Sequence, residues 1–172
     1  VRVGYADPPY PGQAHLYKSH PDYDGEVDHA ALVHKLEHEY DGFVLHTNST
    51  TLFVVLPLFE QPADVRVMAS VKPFAAFKPT VPVAYAWEPV LVKPCRKATV
   101  SSRITPLRDW IAENTMLVPG FTGAKPLNVC RWLFEVLGMK YDDELVDLFP
   151  GTGAVSEAWE QWRRQPALWE AS

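Results

Sequence analysis

Runs of strand-forming apolar residues alternate with stretches of helical period along the chain, and that alternation leaves few folds open. "VRVGYA" (1–6), "GFVLHTN" (42–48), "DVRVMASVKP" (64–73), "VPVAYAWEPVLV" (81–92) and "DELVDLF" (143–149) read as strands. "DHAALVHKLEHEY" (28–40) carries Ala31, Leu32, Leu36 and Tyr40 at helical spacing behind an Asp28 cap. "STTLFVVLPLFEQ" (49–61) reads as a helix ended by Pro57 or Pro62. "GAKPLNVCRWLFEVLG" (123–138) reads as a helix with Pro126 near its first turn and Gly138 as its stop. "PGTGAVSEAWEQWRR" (150–164) is a glycine turn opening a helix, and "PALWE" (166–170) is a short final strand. Strands that alternate with helices predict an α/β fold with a mostly parallel sheet; 81–92 is the antiparallel exception, paired with a neighbouring strand.

The chain has 172 residues, 47% of them hydrophobic and 22% charged, which fits one globular domain spanning 1–172. Its net charge of −5 excludes a basic coat, so any nucleic-acid contact has to come from a local patch. One stretch qualifies. "KPCRKATVSSRITPLRDW" (93–110) sets Lys93, Arg96, Lys97, Arg103 and Arg108 against Asp109 alone. Arg96, Lys97 and Arg103 are its candidate phosphate contacts, and an ordinary solvated loop is the competing reading. The two cysteines, Cys95 and Cys130, form no CxxC pair, so neither a disulfide framework nor a zinc knuckle is expected. No apolar run approaches the ~18 residues of a membrane span and no leader precedes the first strand, so a cytoplasmic location is expected.

Two strand ends carry the chemistry. The first strand stops at "ADPPYPG" (6–12). Two prolines end a strand by themselves, so a plain turn accounts for this segment as well as a site does. The strand 143–149 runs into Gly151-Thr152-Gly153, where glycines let the backbone turn sharply and approach a ligand. Helix N-terminal N–H groups follow at once, and an acid, Glu170, stands one helix and one return strand further on. That is the spacing at which an acid meets ribose hydroxyls in dinucleotide-binding folds.

Taken together, "ADPPYPG" (6–12), "GAKP" (123–126), "DLFPGTGAV" (147–155) and Glu170 resemble the permuted, β-type amino-methyltransferases. These S-adenosylmethionine-dependent enzymes methylate exocyclic amines of bases, and include the DNA N6-adenine and N4-cytosine enzymes and the MT-A70 group. "FKPTVPVAYAWEPVLV" (77–92) resembles the segment before that family's target-recognition region. The resemblance implies a Rossmann-like class I methyltransferase fold in permuted order, catalytic motif first and cofactor loop last. It implies Asp7, Pro8, Pro9 and Tyr10 as catalytic residues. It implies Asp7, Lys125, Asp147, Phe149, Gly151, Thr152, Gly153 and Glu170 around S-adenosylmethionine. DPPY points to adenine more than cytosine, and to DNA as the favoured nucleic acid. Two departures stand out. The recognition-like insertion, 93–122, is short, and only Ala171 and Ser172 follow Glu170, where the family usually has a further strand beside the cofactor adenine. An apolar edge covered by self-association, a homodimer or a recognition partner, is the expectation. A non-catalytic subunit, or methylation of another amine on RNA, a nucleotide or a protein, is the alternative.

Several other signals favour structure over chemistry. "HKLEH" (34–38) matches the HxxEH pattern of inverted zinc-protease motifs, but no third ligand is identifiable, so a solvated helix face is expected and no metal. His15, Tyr17 and Lys18 follow the catalytic motif in a long loop. His46, Thr47 and Asn48 either line the crevice or cap the next helix. Trp159 and Trp162 stand three apart on one helix and are expected to pack together.

Overall fold

The computed structural model describes residues 1–18, 23, 25–74, 81–97, 107–114 and 125–164. Strands are β1 (Arg2–Ala6), β2 (Gly42–His46), β3 (Arg66–Val71), β4 (Trp87–Lys93), β5 (Trp110–Ala112) and β6 (Glu144–Asp147). Helices are α1 (His29–Glu39), α2 (Leu52–Val55), α3 (Leu127–Leu137) and α4 (Ala154–Arg163). The sheet order is β5-β3-β4-β2-β1-β6. β1 pairs in parallel with both β2 and β6, β3 pairs in parallel with β5, and β4 runs antiparallel between β2 and β3. The expected parallel sheet with one antiparallel hairpin is therefore present. Among the described residues no helix is long and apolar enough to cross a membrane.

Local chemistry explains where elements depart from the sequence reading. The helix over 49–61 shortens to α2 plus a 3-10 turn at Leu56–Leu58, because Pro57 lacks the N–H that would continue the ladder. β4 begins at Trp87, not at 81. α3 begins after Pro126, whose ψ of 142° is extended. Its end is as expected: Gly138 takes φ 73°, its N–H reaches Glu135 O, and the Met139 N–H reaches Phe134 O, a Schellman closure. β5 starts on Trp110, the last residue of the basic run 93–110, and lies inside the recognition-like insertion 93–122, with Trp110 opposite Ala69 and Ala112 opposite Val71. The final strand over 166–170, with Trp169, lies outside the described residues.

Alternation along the buried strands divides the core into two layers. Val3, Tyr5, Val44, Val90 and Val92 face α3 and α4, where Leu133, Phe134 and Trp159 are buried. Ala6, Phe43, Leu45 and Leu91 face α1 and α2. Trp159 and Trp162 stack with ring centroids 5.3 Å apart, as their spacing predicts, and Phe134 meets Trp159 edge-on. Gly4 lets α1 approach closely: a Cβ there would lie 2.9 Å from Leu36 Cδ2 and 3.1 Å from the Tyr40 ring, so both side chains would have to shift.

This layering fixes the site. β1 and β6 are parallel neighbours, but β1 leads towards α1 on one face and β6 towards α4 on the other. Their carboxyl ends therefore part, and the crevice between them is the place where such sheets bind ligands.

Candidate active site

Asp7 is the first residue past β1, so it stands at the mouth of that crevice. Pro8 is buried and Pro9 and Tyr10 are half-buried behind it. Tyr10 O accepts the Gln13 N–H at 2.8 Å, and Gly12 turns with φ 76° while its N–H donates to Glu26 Oε1. The turn therefore follows the motif, at Pro11 and Gly12, while Asp7 stands directly on the end of β1.

Lys125, just before α3, meets Asp7 with Nζ 3.1 Å from Oδ2. The same ammonium donates to Glu88 Oε1 at 2.6 Å. Glu88 and His46 are both buried, and Nδ1 of His46 lies 2.7 Å from Glu88 Oε1. With the Nδ1 proton on that bond, Nε2 accepts from the Tyr5 hydroxyl at 2.9 Å. Lys72 adds a second cation, 3.3 Å from Glu88 Oε2. Burial opposes the Glu88 charge, but Lys125, His46 and Lys72 together hold its carboxyl well below the usual range. Burial likewise opposes the Lys125 charge, and Asp7 and Glu88 overcome it and raise the ammonium above its ordinary value. Burial, with Asp7 among the nearby acids, pushes the Tyr5 phenol well up, so it stays a donor. Ligand atoms of Asp7, His46 and Glu88 lie within 4.8 Å of one another, a spacing that suits a cation. The Lys125 nitrogen supplies it, at hydrogen-bonding or ion-pairing distance from both carboxylates and 3.3 Å from His46 Nδ1.

The second wall is β6 and its loop. Tyr5 and Asp147 are register partners, and the Leu148 N–H continues the pairing to Tyr5 O at 2.9 Å. Gly151 and Gly153 take φ 48° and 76°, and Gly153 N–H closes on Pro150 O at 2.7 Å. Among the described residues, its own chain neighbours aside, no atom lies within 4 Å of where a Gly153 Cβ would stand. Asp147 Oδ1 accepts the Phe149 N–H, but Oδ2 is buried with no hydrogen-bond partner among the described residues. Burial, and then the Asp7 charge, raise its carboxyl. An orphaned carboxylate oxygen beside a glycine loop calls for a ligand that brings a donor or a positive charge. Cys130 is no nucleophile here, since burial pushes its thiol up to about 11.

Neither a protein-family model nor a curated protein sequence matches the chain. Solved structures do match. The M1.HpyAVI–SAM complex aligns with a TM-score of 0.60 at 14% identity, covering 94% of this chain and 77% of that one. A second crystal structure, of M1.HpyAVI, aligns with a TM-score of 0.56 at 15% identity, covering 96% of this chain and 77% of that one. The fold is the Rossmann-like class I methyltransferase fold.

Within this methyltransferase fold, the residues expected from sequence fall into three groups. Asp7, Lys125, Asp147, Phe149, Gly151, Thr152 and Gly153 line or adjoin the β1/β6 crevice. Arg103 and Glu170 lie outside the described residues, whereas Lys97 is exposed. Arg96 has another task. Its guanidinium forms a paired bond with both oxygens of buried Asp143, at 2.5 and 2.6 Å, and also donates to Gly138 O. Burial opposes the Asp143 charge, yet Arg96 holds that carboxyl below its ordinary value. Among the described residues, Arg96→Ala leaves the buried carboxylate with only the Lys140 N–H and the Val1 ammonium, so we expect a loss of about 2–3 kcal/mol, read as a lower urea midpoint at unchanged m. Tyr5, Lys72 and Glu88 were not singled out from the sequence. The available signal was Glu88 itself, an acid inside the apolar run "AYAWEPVLV", which has to find a counter-charge when buried.

Proposed function

We propose that this protein transfers the methyl group of S-adenosylmethionine to the exocyclic amine of a base in nucleic acid, with adenine N6 of DNA as the leading target. The observation that carries the reading is the juxtaposition of Asp7, at the end of β1, with the glycine loop and the orphaned Asp147 oxygen at the end of β6. S-adenosylmethionine carries two positive groups, a sulfonium and an ammonium, and the crevice offers the Asp7 and Asp147 carboxylates and an open glycine cradle. When bound, it supplies an electrophilic methyl group.

The chain's own residues do the rest. An exocyclic amine is a weak nucleophile because its lone pair is delocalised into the ring. The Asp7 carboxylate accepts a hydrogen bond from one amino hydrogen and the Pro8 carbonyl accepts one from the other. That pair of acceptors favours a pyramidal nitrogen with its lone pair directed along one line. Proline fixes φ and so pre-sets the direction of its carbonyl. Tyr10 stacks on a base taken out of its helix or held in a single strand. Lys125 occupies Asp7 Oδ2 and fixes the carboxylate plane, which leaves Oδ1 for the amine. Glu88 holds Lys125 in turn, and His46 donates to Glu88 and fixes its carboxylate. Glu170 on the ribose, from the sequence resemblance, and Lys97 and Arg103 on phosphate, from the basic run 93–110, complete the assignment.

Calorimetry with S-adenosylmethionine tests the cofactor half. The parent binds, and Asp147→Asn weakens binding about tenfold or more, because an amide replaces the buried charge that faces a cationic ligand. Equal affinity in both proteins would remove Asp147 from the cofactor site.

A further inference from the structure

Away from the crevice, α1 presents His34 and His38 one turn apart on its exposed side, with rings stacked at 4.1 Å. The sequence offered no third ligand, but the fold does. Glu60, on the connection after α2, brings its carboxylate to within 3.7 Å of His38 Nε2, and ligand atoms of all three residues lie within 4.8 Å of one another.

Two further contacts prepare this cluster. His38 Nδ1 lies 2.8 Å from the His34 carbonyl, so the proton sits on Nδ1 and the Nε2 lone pair is left on the side of Glu60. Metal-ligating histidines are commonly oriented in this way, by a carbonyl that accepts the other ring N–H. Glu37, the acid of "HKLEH", ligates nothing in this cluster. Its two carboxylate oxygens accept the backbone N–H groups of Glu60 and Gln61 at 3.0 Å each, which pins the segment bearing the third ligand against α1. Two nitrogens and one carboxylate oxygen on exposed side chains can close from 4.8 Å to the roughly 3.3 Å between ligand atoms that a tetrahedral ion with ~2.0–2.1 Å bonds requires.

We propose that His34, His38 and Glu60 form a binding site for Zn²⁺ or a similar divalent transition metal, with a fourth position open to water. The donor set is two imidazoles and a carboxylate, which suits zinc rather than magnesium or calcium. The ion ties α1 to the connection after α2, so its consequence is a stapled fold, independent of the methyl-transfer reading.

Titration of chelator-treated protein with zinc chloride, by calorimetry and by thermal unfolding, tests this. We expect one equivalent to bind the parent and raise its unfolding temperature. Glu60→Gln should weaken that binding about tenfold or more, and the His34→Ala/His38→Ala double variant should abolish it. All three substituted side chains are exposed, and circular dichroism checks that the fold is kept. A parent that binds no zinc overturns the proposal. So does a Glu60→Gln variant that binds like the parent, or a double variant that keeps the equivalent.

Discussion

Asp7→Ala lowers methyl transfer about a hundredfold or more, while S-adenosylmethionine binding changes far less. The carboxylate is one of two acceptors assigned to the reacting amine, and the loss of one such positioned polar group typically costs ~10²-fold or more. The fold should survive. Lys125 keeps its 2.6 Å bond to Glu88, and Asp7 is already a quarter exposed, so no fully buried charge is stranded. Asp7→Asn sharpens the comparison, because it keeps the shape and a carbonyl oxygen but not the charge. Single-turnover assays beside calorimetry separate the step from binding. A variant that methylates at the parent rate would leave Asp-Pro-Pro-Tyr as no more than the end of β1 before the Tyr10–Gln13 turn.

Glu88→Gln strikes deeper. Glu88 is buried and receives Lys125, Lys72 and His46 at once. The amide cannot balance two ammonium groups, so Lys125 is left with Asp7 alone and we expect a loss of about 3–5 kcal/mol. A urea midpoint shift at constant m measures it. The pH dependence has a definite sign. The folded Glu88 carboxyl lies below its unfolded value, so its contribution is present above about pH 4.3 and is lost as pH falls through the lower, folded value. The Lys125 ammonium lies above its unfolded value, so its contribution is complete below about pH 10.4 and is lost as pH rises through the higher, folded value. The parent should therefore hold this contribution from about pH 5 to about pH 10, and Glu88→Gln should show a shallower acid limb.

Local and sequential features were the ones legible in the chain. Alternating period gave the strands and helices, Gly138 gave the end of α3, and the Asp-Pro-Pro strand end and the Gly151-Thr152-Gly153 turn marked the two walls of the crevice. What could not be read depended on partners far apart in sequence. β5 is three residues long and exists only because β3 offers it an edge. Arg96 looked like any other cation of a basic run, since its partner Asp143 stands 47 positions away. Tyr5 reads as one more apolar strand residue, yet its hydroxyl meets His46 across 41 positions. Charge pairing across a sheet has no period, so a sequence shows that Glu88 needs a counter-charge without showing which lysine supplies it.

The measurement closest to the central claim is a methyl-transfer assay with labelled S-adenosylmethionine over a panel of duplex DNA, single-stranded DNA, RNA, free nucleotides and protein, followed by digestion and identification of the labelled base. The expected result is label on an exocyclic amine, adenine N6 in DNA first, and none when Asp7 is alanine. Binding of S-adenosylmethionine without label on any base, under conditions where both the cofactor and the nucleic acid are saturating, would contradict it.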